Sequence, residues 1–395
     1  MPGAAKASRL FLPIPENMSA PGIEGIFTFP AGERMPVKNL YRQESEPGLE
    51  RPKKEYGGLF PMRGLKIVLR ILAVLLVLVL LVGLAGFLMF RHRSSPNDII
   101  HYETSNSFIT GKTQVSAHRA GGGIMPEETM MALKNCTKDV DFSIDVFEFD
   151  LHLTKDGVLV LLHDNEMDRT SDSVEVFGRE HVRPEEMTFD ELRQLNMGAK
   201  FVSDSGESPY AGLHGEDVPD DLRIVALTEA LDYLESIGRY YYIIEIKNGG
   251  EIGCRAVDQL YSELKARDMV DRVAFGSFHG EVSEYKDKTY PDLMRGAFAG
   301  EVINFYLAAA LNKQDYTPPC GILQLPFNDP KESKYINLGT ARVINYAHAH
   351  NMAVQYWTVN DEKDMAYLLS LGVDCIMSDY PDRLWRVKQE MGLNP

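Results

Sequence analysis

After Thr113 the chain alternates short apolar runs with amphipathic helical patterns, and no other property of the sequence narrows its fold so far. The runs QVSAHR (114–119), VFEFDLHLT (146–154), VLVLLHD (158–164), YYIIEIK (241–247), VAFGSF (273–278), MRGAFA (294–299), ILQLP (322–326), AVQYWTV (353–359) and DCIMSD (374–379) read as strands. Between most of them lie PEETMMALKNCTK, LTEALDYLESIG, CRAVDQLYSELKARD, GTARVINYAHAHN and DEKDMAYLLSLG, which carry apolar residues at helical spacing. Strand then helix, repeated, predicts a parallel sheet with crossover connections. Nine runs are one more than a (β/α)8 TIM barrel requires. The surplus is explained by TKDG, a tight-turn sequence too short for a parallel crossover, so the second and third runs form a β-hairpin. Residues 113–389 then suit a barrel of about 250 residues with one small insertion, the Gly-, Ser- and acid-rich stretch around 170–220.

Ahead of the barrel, ILAVLLVLVLLVGLAGFLMF (71–90) is free of charge, and as a helix it would rise about 30 Å, enough to cross a bilayer core. A buried core helix normally keeps a polar stripe, so 67–90 reads as one transmembrane helix. Arg51, Lys53, Lys54, Arg63, Lys66 and Arg70 flank it on the N-terminal side, against Arg91 and Arg93 on the other. The positive-inside rule therefore expects a single-pass protein with a cytoplasmic N-terminus and an extracytoplasmic barrel. A signal peptide cut after Ala85 is the rival, but the apolar stretch is longer than a usual signal core. Residues 1–62 carry many Pro and Gly without periodicity and read as a disordered cytoplasmic tail, or one mis-started ahead of Met62. A linker spans 91–112.

The net charge of −16 argues against a nucleic-acid partner, since a surface that tracks phosphates needs clustered Lys and Arg. Cys136, Cys254, Cys320 and Cys375 are scattered with no C-x-x-C pair, which argues against a zinc knuckle. Cys375, within an apolar run, reads as a core residue.

In a parallel barrel the chemistry gathers at the C-terminal strand ends. Glu148, Asp150 and His152 share one face of their strand, because side chains alternate with period two. With Glu245 the two acids make a set of three carboxylates on neighbouring strand ends. Such a set raises its own pKa values unless a cation neutralises it, and all-oxygen donors select Mg²⁺ or Ca²⁺. The bland alternative is salt bridging, with Lys247 and Arg119 as counter-charges. His118 and His163, at two strand ends, suit general acid and base work on a phosphate ester, while Arg119 and Lys247 offer positive charge to its anion. His152 lies nearer the turn and reads as a solvent contact at the rim. His279 is a weaker candidate for substrate contact, and His181, His214, His348 and His350 are expected to have no chemical role.

The blocks AHRAGGGIMPEET, FEFDLHLTKDGVLVLLHD, RT (169–170), EIK (245–247), GSF (276–278), YWTVN (356–360) and SDYP (378–381) together resemble the glycerophosphodiester phosphodiesterase family over roughly 115–386. The resemblance implies a (β/α)8 barrel that uses a divalent cation to cleave glycerophosphodiesters into glycerol 3-phosphate and an alcohol. It implies His118 and His163 as the acid/base pair, Arg119 and Lys247 as phosphate contacts, and Glu148, Asp150 and Glu245 as metal ligands. Glu127 would support the site and Trp357 would wall the substrate pocket. Two departures stand out: HRA with Ala120 where HRG is usual, and PEET with Glu128 where an Asn is common. The second adds negative charge near the cation. Competing functions are phospholipase D- or C-like action on phospholipids or lysophospholipids, and a non-catalytic barrel that binds headgroups.

Overall fold

The computed structural model describes residues 62–331, 333 and 337–393. The tail expected before Met62 lies outside the described residues. Helix α1 runs Met62–Arg91, and its described aliphatic side chains from Ile67 to Leu81 are exposed. Among the described residues no helix is long and apolar enough to cross a membrane. The side chains of 82 and 85–91, which complete the apolar run, are not among those described.

Parallel strands β1 (Gln114–Ala117), β2 (Val146–Leu153), β4 (Tyr241–Ile246), β5 (Val273–Gly276), β6 (Ile322–Pro326), β7 (Ala353–Trp357) and β8 (Cys375–Ser378) lie in the order β5-β4-β2-β1-β8-β7-β6. The short β3 (Leu159–Leu161) pairs antiparallel with β2, placing Leu151 opposite Leu161. This is the hairpin that TKDG called for, with Thr154 N donating to Val158 O at 2.9 Å and Gly157 at φ +85°. All eight residues of β2 are buried. One face lies under the surrounding helices and the other lines the barrel, so burial itself does not alternate.

The expected strand at 294–299 is reduced to a staple. Phe275 N donates to Met294 O and Gly296 N to Phe275 O, both at 2.9 Å, while Ala297 N reaches Ile322 O on the far side, also at 2.9 Å. These bonds join β5 to β6 and close the ring, but too few residues take part to form a strand. The barrel therefore has seven parallel strands and a bridging segment in place of eight full strands. Two features hold the segment short. The buried Arg295 guanidinium is taken by Glu301 at 2.6 and 2.8 Å and by Asp287 at 2.9 Å. Gly296 faces the Gln324 side chain, which donates to Gln355 at 3.1 Å, and a Cβ there would collide with the Gln324 amide.

Helices α2 (Met130–Asn135), α5 (Leu227–Ile237), α6 (Gly250–Ala266), α9 (Ala341–Ala349) and α10 (Glu362–Ser370) occupy the five patterned segments. The short α3 (Ser173–Phe177) and α4 (Phe189–Leu192) belong to the insertion, which packs Met167, Val182, Leu192, Leu195 and Met197 on Val160 and Leu162 of the hairpin. Helices α7 (Gly280–Thr289), α8 (Ala299–Leu311) and α11 (Pro381–Glu390) were not anticipated. α7 is largely polar and α8 is apolar nearly all round, so neither shows a clean stripe, whereas α11 is amphipathic but rests on the few apolar residues Leu384, Trp385 and Val387. All four cysteines are free, with Cys375 fully buried.

Candidate active site

The strand ends carry their polar residues because the backbone turns there. β1 stops at Ala117, and Arg119, Ala120 and Gly121 follow with φ of 50°, 61° and 88°, three consecutive residues in the left-handed region. The turn brings Arg119 N to Glu148 Oε2 at 2.7 Å. It also sets the half-buried His118 between two acids: Nδ1 is 2.6 Å from Asp379 Oδ1, and Nε2 is 3.9 Å from Glu148 Oε2 and 3.4 Å from Thr358 Oγ1. Burial pulls the imidazole pKa down, but the Glu148 charge and the Asp379 bond outweigh it and hold it above its ordinary value. Asn360 fixes Asp379 in turn, its Nδ2 donating to Oδ2 at 2.7 Å.

Glu148, Asp150 and Glu245 stand on adjacent strands, with Asp150 in register with Glu245. Burial, then the neighbouring Asp150, pushes Glu148 and Glu245 each up to about 7. Lys247 stands among them, its ammonium 2.9 Å from Glu245 and 3.4 Å from Asp150. Burial lowers the Lys247 pKa and these acids more than restore it, leaving it raised. The salt-bridging alternative thus describes Lys247 as it stands. It does not account for every oxygen, because Oδ2 of Asp150 is buried without a hydrogen-bond partner.

Glu128 joins this group. Its Oε1 accepts from Asp150 N at 3.0 Å, its Oε2 is buried without a partner, and burial with the Asp150 and Glu148 charges raises its pKa well above the ordinary range. Three buried acids and the half-buried Glu245 against one ammonium leave an excess of negative charge and unpartnered oxygens, a donor set that fits a hard dication. The three expected ligands are nonetheless spread. Among the described residues, the His/Cys/Asp/Glu group whose ligand atoms all lie within 4.8 Å of one another is Glu166, Asp168 and His181, outside this set. Its members are already engaged: Asp168 accepts from Ser173 and from the backbone of His181 and Val182, and His181 pairs with Glu166.

His163 takes Asp164 as its partner, Nδ1 to Oδ1 at 2.7 Å. Burial would raise the Asp164 carboxyl, but the bonds from His163 and Arg169 hold it well below the usual carboxylate range. The two histidines do not share one cavity. His118 lines a hollow of about 390 Å³ with Arg119, Glu127, Lys200, Phe201, Thr358, Asp379 and Tyr380, and His163 lines another of about 580 Å³ with Asp164, Glu166 and Lys247. Arg169 lines both, and its guanidinium donates to Glu127 at 2.5 and 3.0 Å while also pairing with Asp164. Glu127 accepts from Arg119 as well, at 3.2 Å, so one carboxylate positions two guanidinium groups.

Trp357 lies at the end of β7, edge-on to Phe278 with ring centroids 6.5 Å apart, and lines neither hollow. His152 is no rim residue: it is buried beside Asn248, and burial lowers its pKa to about 4. The expectation failed because the hairpin return and the loop after β4 cover that end of β2. His279 donates through Nε2 to Lys247 O at 3.1 Å and opens α7, a structural post. Sequence reasoning missed Asp379 and Asp164 as histidine partners, and Arg169, although each lies inside a block that carried the resemblance; Glu128 it had set near the cation.

The sequence model described as "Glycerophosphoryl diester phosphodiesterase family" matches residues 118–383. Among curated proteins, the glycerophosphodiester phosphodiesterase of Caldanaerobacter subterraneus is 28% identical, over 71% of this chain and 100% of its own length. That of Bacillus altitudinis is 25% identical, over 71% and 99%. Among solved structures, the glycerophosphoryl diester phosphodiesterase domain of a Mycobacterium tuberculosis protein superposes with a TM-score of 0.55 at 18% identity, covering 70% of this chain and 99% of that one. At that identity the likeness speaks for the fold.

Proposed function

The chain belongs to the glycerophosphoryl diester phosphodiesterase family, and from that premise we propose that it hydrolyses glycerophosphodiesters to glycerol 3-phosphate and an alcohol, with a divalent cation as cofactor and with α1 as a single-pass membrane anchor. The observation that carries the chemistry is the pairing of each mouth histidine with an aspartate, His118 with Asp379 and His163 with Asp164.

An ionised carboxylate only accepts hydrogen bonds, so in each pair Nδ1 carries the proton and Nε2 is left to exchange one with substrate. One histidine takes the proton of the nucleophile, water or the glycerol 2-hydroxyl, and the other gives a proton to the departing alcohol oxygen. Arg119 and Lys247 meet the phosphate anion, and Glu127 keeps Arg119 aimed. Glu148, Asp150 and Glu245 would hold the cation, Ca²⁺ or Mg²⁺, with Glu128 beside them. When bound, the ion supplies electrostatic stabilisation of charge developing on a phosphoryl oxygen.

The anchor reading rests on the uncharged run 71–90 and its asymmetric basic flanks. It places the N-terminus in the cytoplasm and the barrel outside it.

The test is release of glycerol 3-phosphate from glycerophosphocholine by the full chain, with lysophosphatidylcholine as the competing substrate. Activity should disappear in excess EDTA and in His118→Ala or His163→Ala proteins that remain folded. Unchanged turnover in either variant would overturn the acid/base assignment, and turnover in EDTA the metal's role.

A further inference from the structure

The segment that leaves α1 is not a free linker. Asn337 Nδ2 donates to His92 O at 3.3 Å, the Arg93 guanidinium pairs with Asp364, Ser94 N donates to Tyr367 Oη at 2.8 Å, and Ser94 Oγ accepts from Ala341 N at 2.9 Å. Ala341 opens α9, and Asp364 lies in the first turn of α10. In a parallel barrel each helix descends antiparallel to its strands, so these helix starts stand at the end of the barrel where the strands finish, around the site. Asn328, in the loop after β6, donates to the same Asp364 at 2.7 Å.

From there the chain runs down the outside. Asn345 Nδ2 donates to Asp98 O at 2.7 Å, and Asn106 Nδ2 donates to Gly321 O at 2.7 Å, beside the starting end of β6, before β1 enters the barrel from below. Residues 92–94 are pinned within three positions of Arg91, the last residue of α1. Three extended residues reach about 11 Å at most.

The mouth also carries exposed apolar groups that the proposed chemistry does not use. Phe278, in the loop between β5 and α7, is 70% exposed; Ile303, in the first half of α8, is 62%; Val202, on the insertion beside the His118 hollow, is 59%. They come from three separate elements.

Resting on the reading of α1 as a membrane span, we infer that the catalytic mouth of the barrel faces the bilayer, held there by the 92–94 clasp, with Phe278, Ile303 and Val202 in contact with lipid. A short, fastened connection at the mouth brings that end within about 11 Å of the helix exit, and apolar side chains there gain by leaving water for the acyl boundary. The partner is a lipid surface.

The test uses the full chain in phosphatidylcholine vesicles made with brominated acyl chains, which quench nearby indoles. Phe278→Trp places a reporter at the mouth, and Ile237→Trp places one at the lower end of α5, at the opposite pole. Emission added by Phe278→Trp should fall at least twofold on bromination, and that added by Ile237→Trp should not change. Equal quenching of both, of Ile237→Trp only, or of neither in a chain that resists alkaline extraction overturns the orientation and leaves the anchor standing. Extraction by alkali overturns the anchor, and this inference with it.

Discussion

Ala117 of β1 pairs in register with Ser378 of β8, and the residue that follows each strand completes the contact: His118 Nδ1 lies 2.6 Å from Asp379 Oδ1. Strand register thus sets the ring's tautomer. Asp379→Asn keeps the shape but offers an amide that can donate to Nδ1 and leave the proton on the wrong nitrogen. Turnover of glycerophosphocholine should fall by about 10²–10⁴-fold, with the thermal midpoint nearly unchanged. Near-normal turnover would show that Asp379 does not orient His118.

The acidic cluster sets a pH dependence. Folding raises Glu148 and Glu245 to about 7, so between their unfolded values near 4.5 and that point the native chain holds protons the unfolded chain has lost. The native state binds more protons there, and stability must fall as pH rises through that window. Urea unfolding in EDTA should therefore give lower stability at pH 8 than at pH 5. Millimolar Mg²⁺ or Ca²⁺ should remove most of that loss by binding the ionised acids. A metal-free chain equally stable at both values would contradict the cluster's electrostatics.

Ala120 occupies a position with φ of 61°, where a Cβ is strained and glycine is not. The departure from the family's usual glycine therefore carries a cost. Ala120→Gly should raise stability by about 0.5–1 kcal/mol, read as a shift of the denaturation midpoint at constant slope.

Glu301 holds the buried Arg295 through both carboxylate oxygens and also accepts from Phe298 N at 3.1 Å. Glu301→Ala leaves a buried guanidinium with Asp287 as its one remaining carboxylate, beside the Gly296 carbonyl, and should cost about 3 kcal/mol. Because the defect sits at the barrel seam, amide exchange at Gly296 and Ala297 should accelerate before that of β2. Uniform exchange would place the loss elsewhere.

Much of the architecture was legible in residue patterns. The hairpin followed from TKDG, and five crossover helices from their apolar spacing. The eighth strand was not, because MRGAFA has the composition of a strand while its arginine and glycine are committed to contacts from α7, α8 and β6 that no local pattern reports. In the candidate site, residue types and strand positions singled out the acids and both histidines that the proposed function uses. The partners of those histidines depend on which strand ends become neighbours, and the separation of His118 from His163 by Arg169 arises from a side chain that spans two loops. His152 was misplaced for a related reason, since alternation states which face a residue takes but not what covers that face.

The pairing of Gln324 with Gln355, in-register neighbours on β6 and β7, has a consequence for redesign. The amide of Gln324 fills the room that a side chain at 296 would need. Anyone regularising this seam into a full eighth strand would gain nothing from a β-branched residue at Gly296 by itself. The pair would have to be shortened in the same step, so the three positions form one unit of variation.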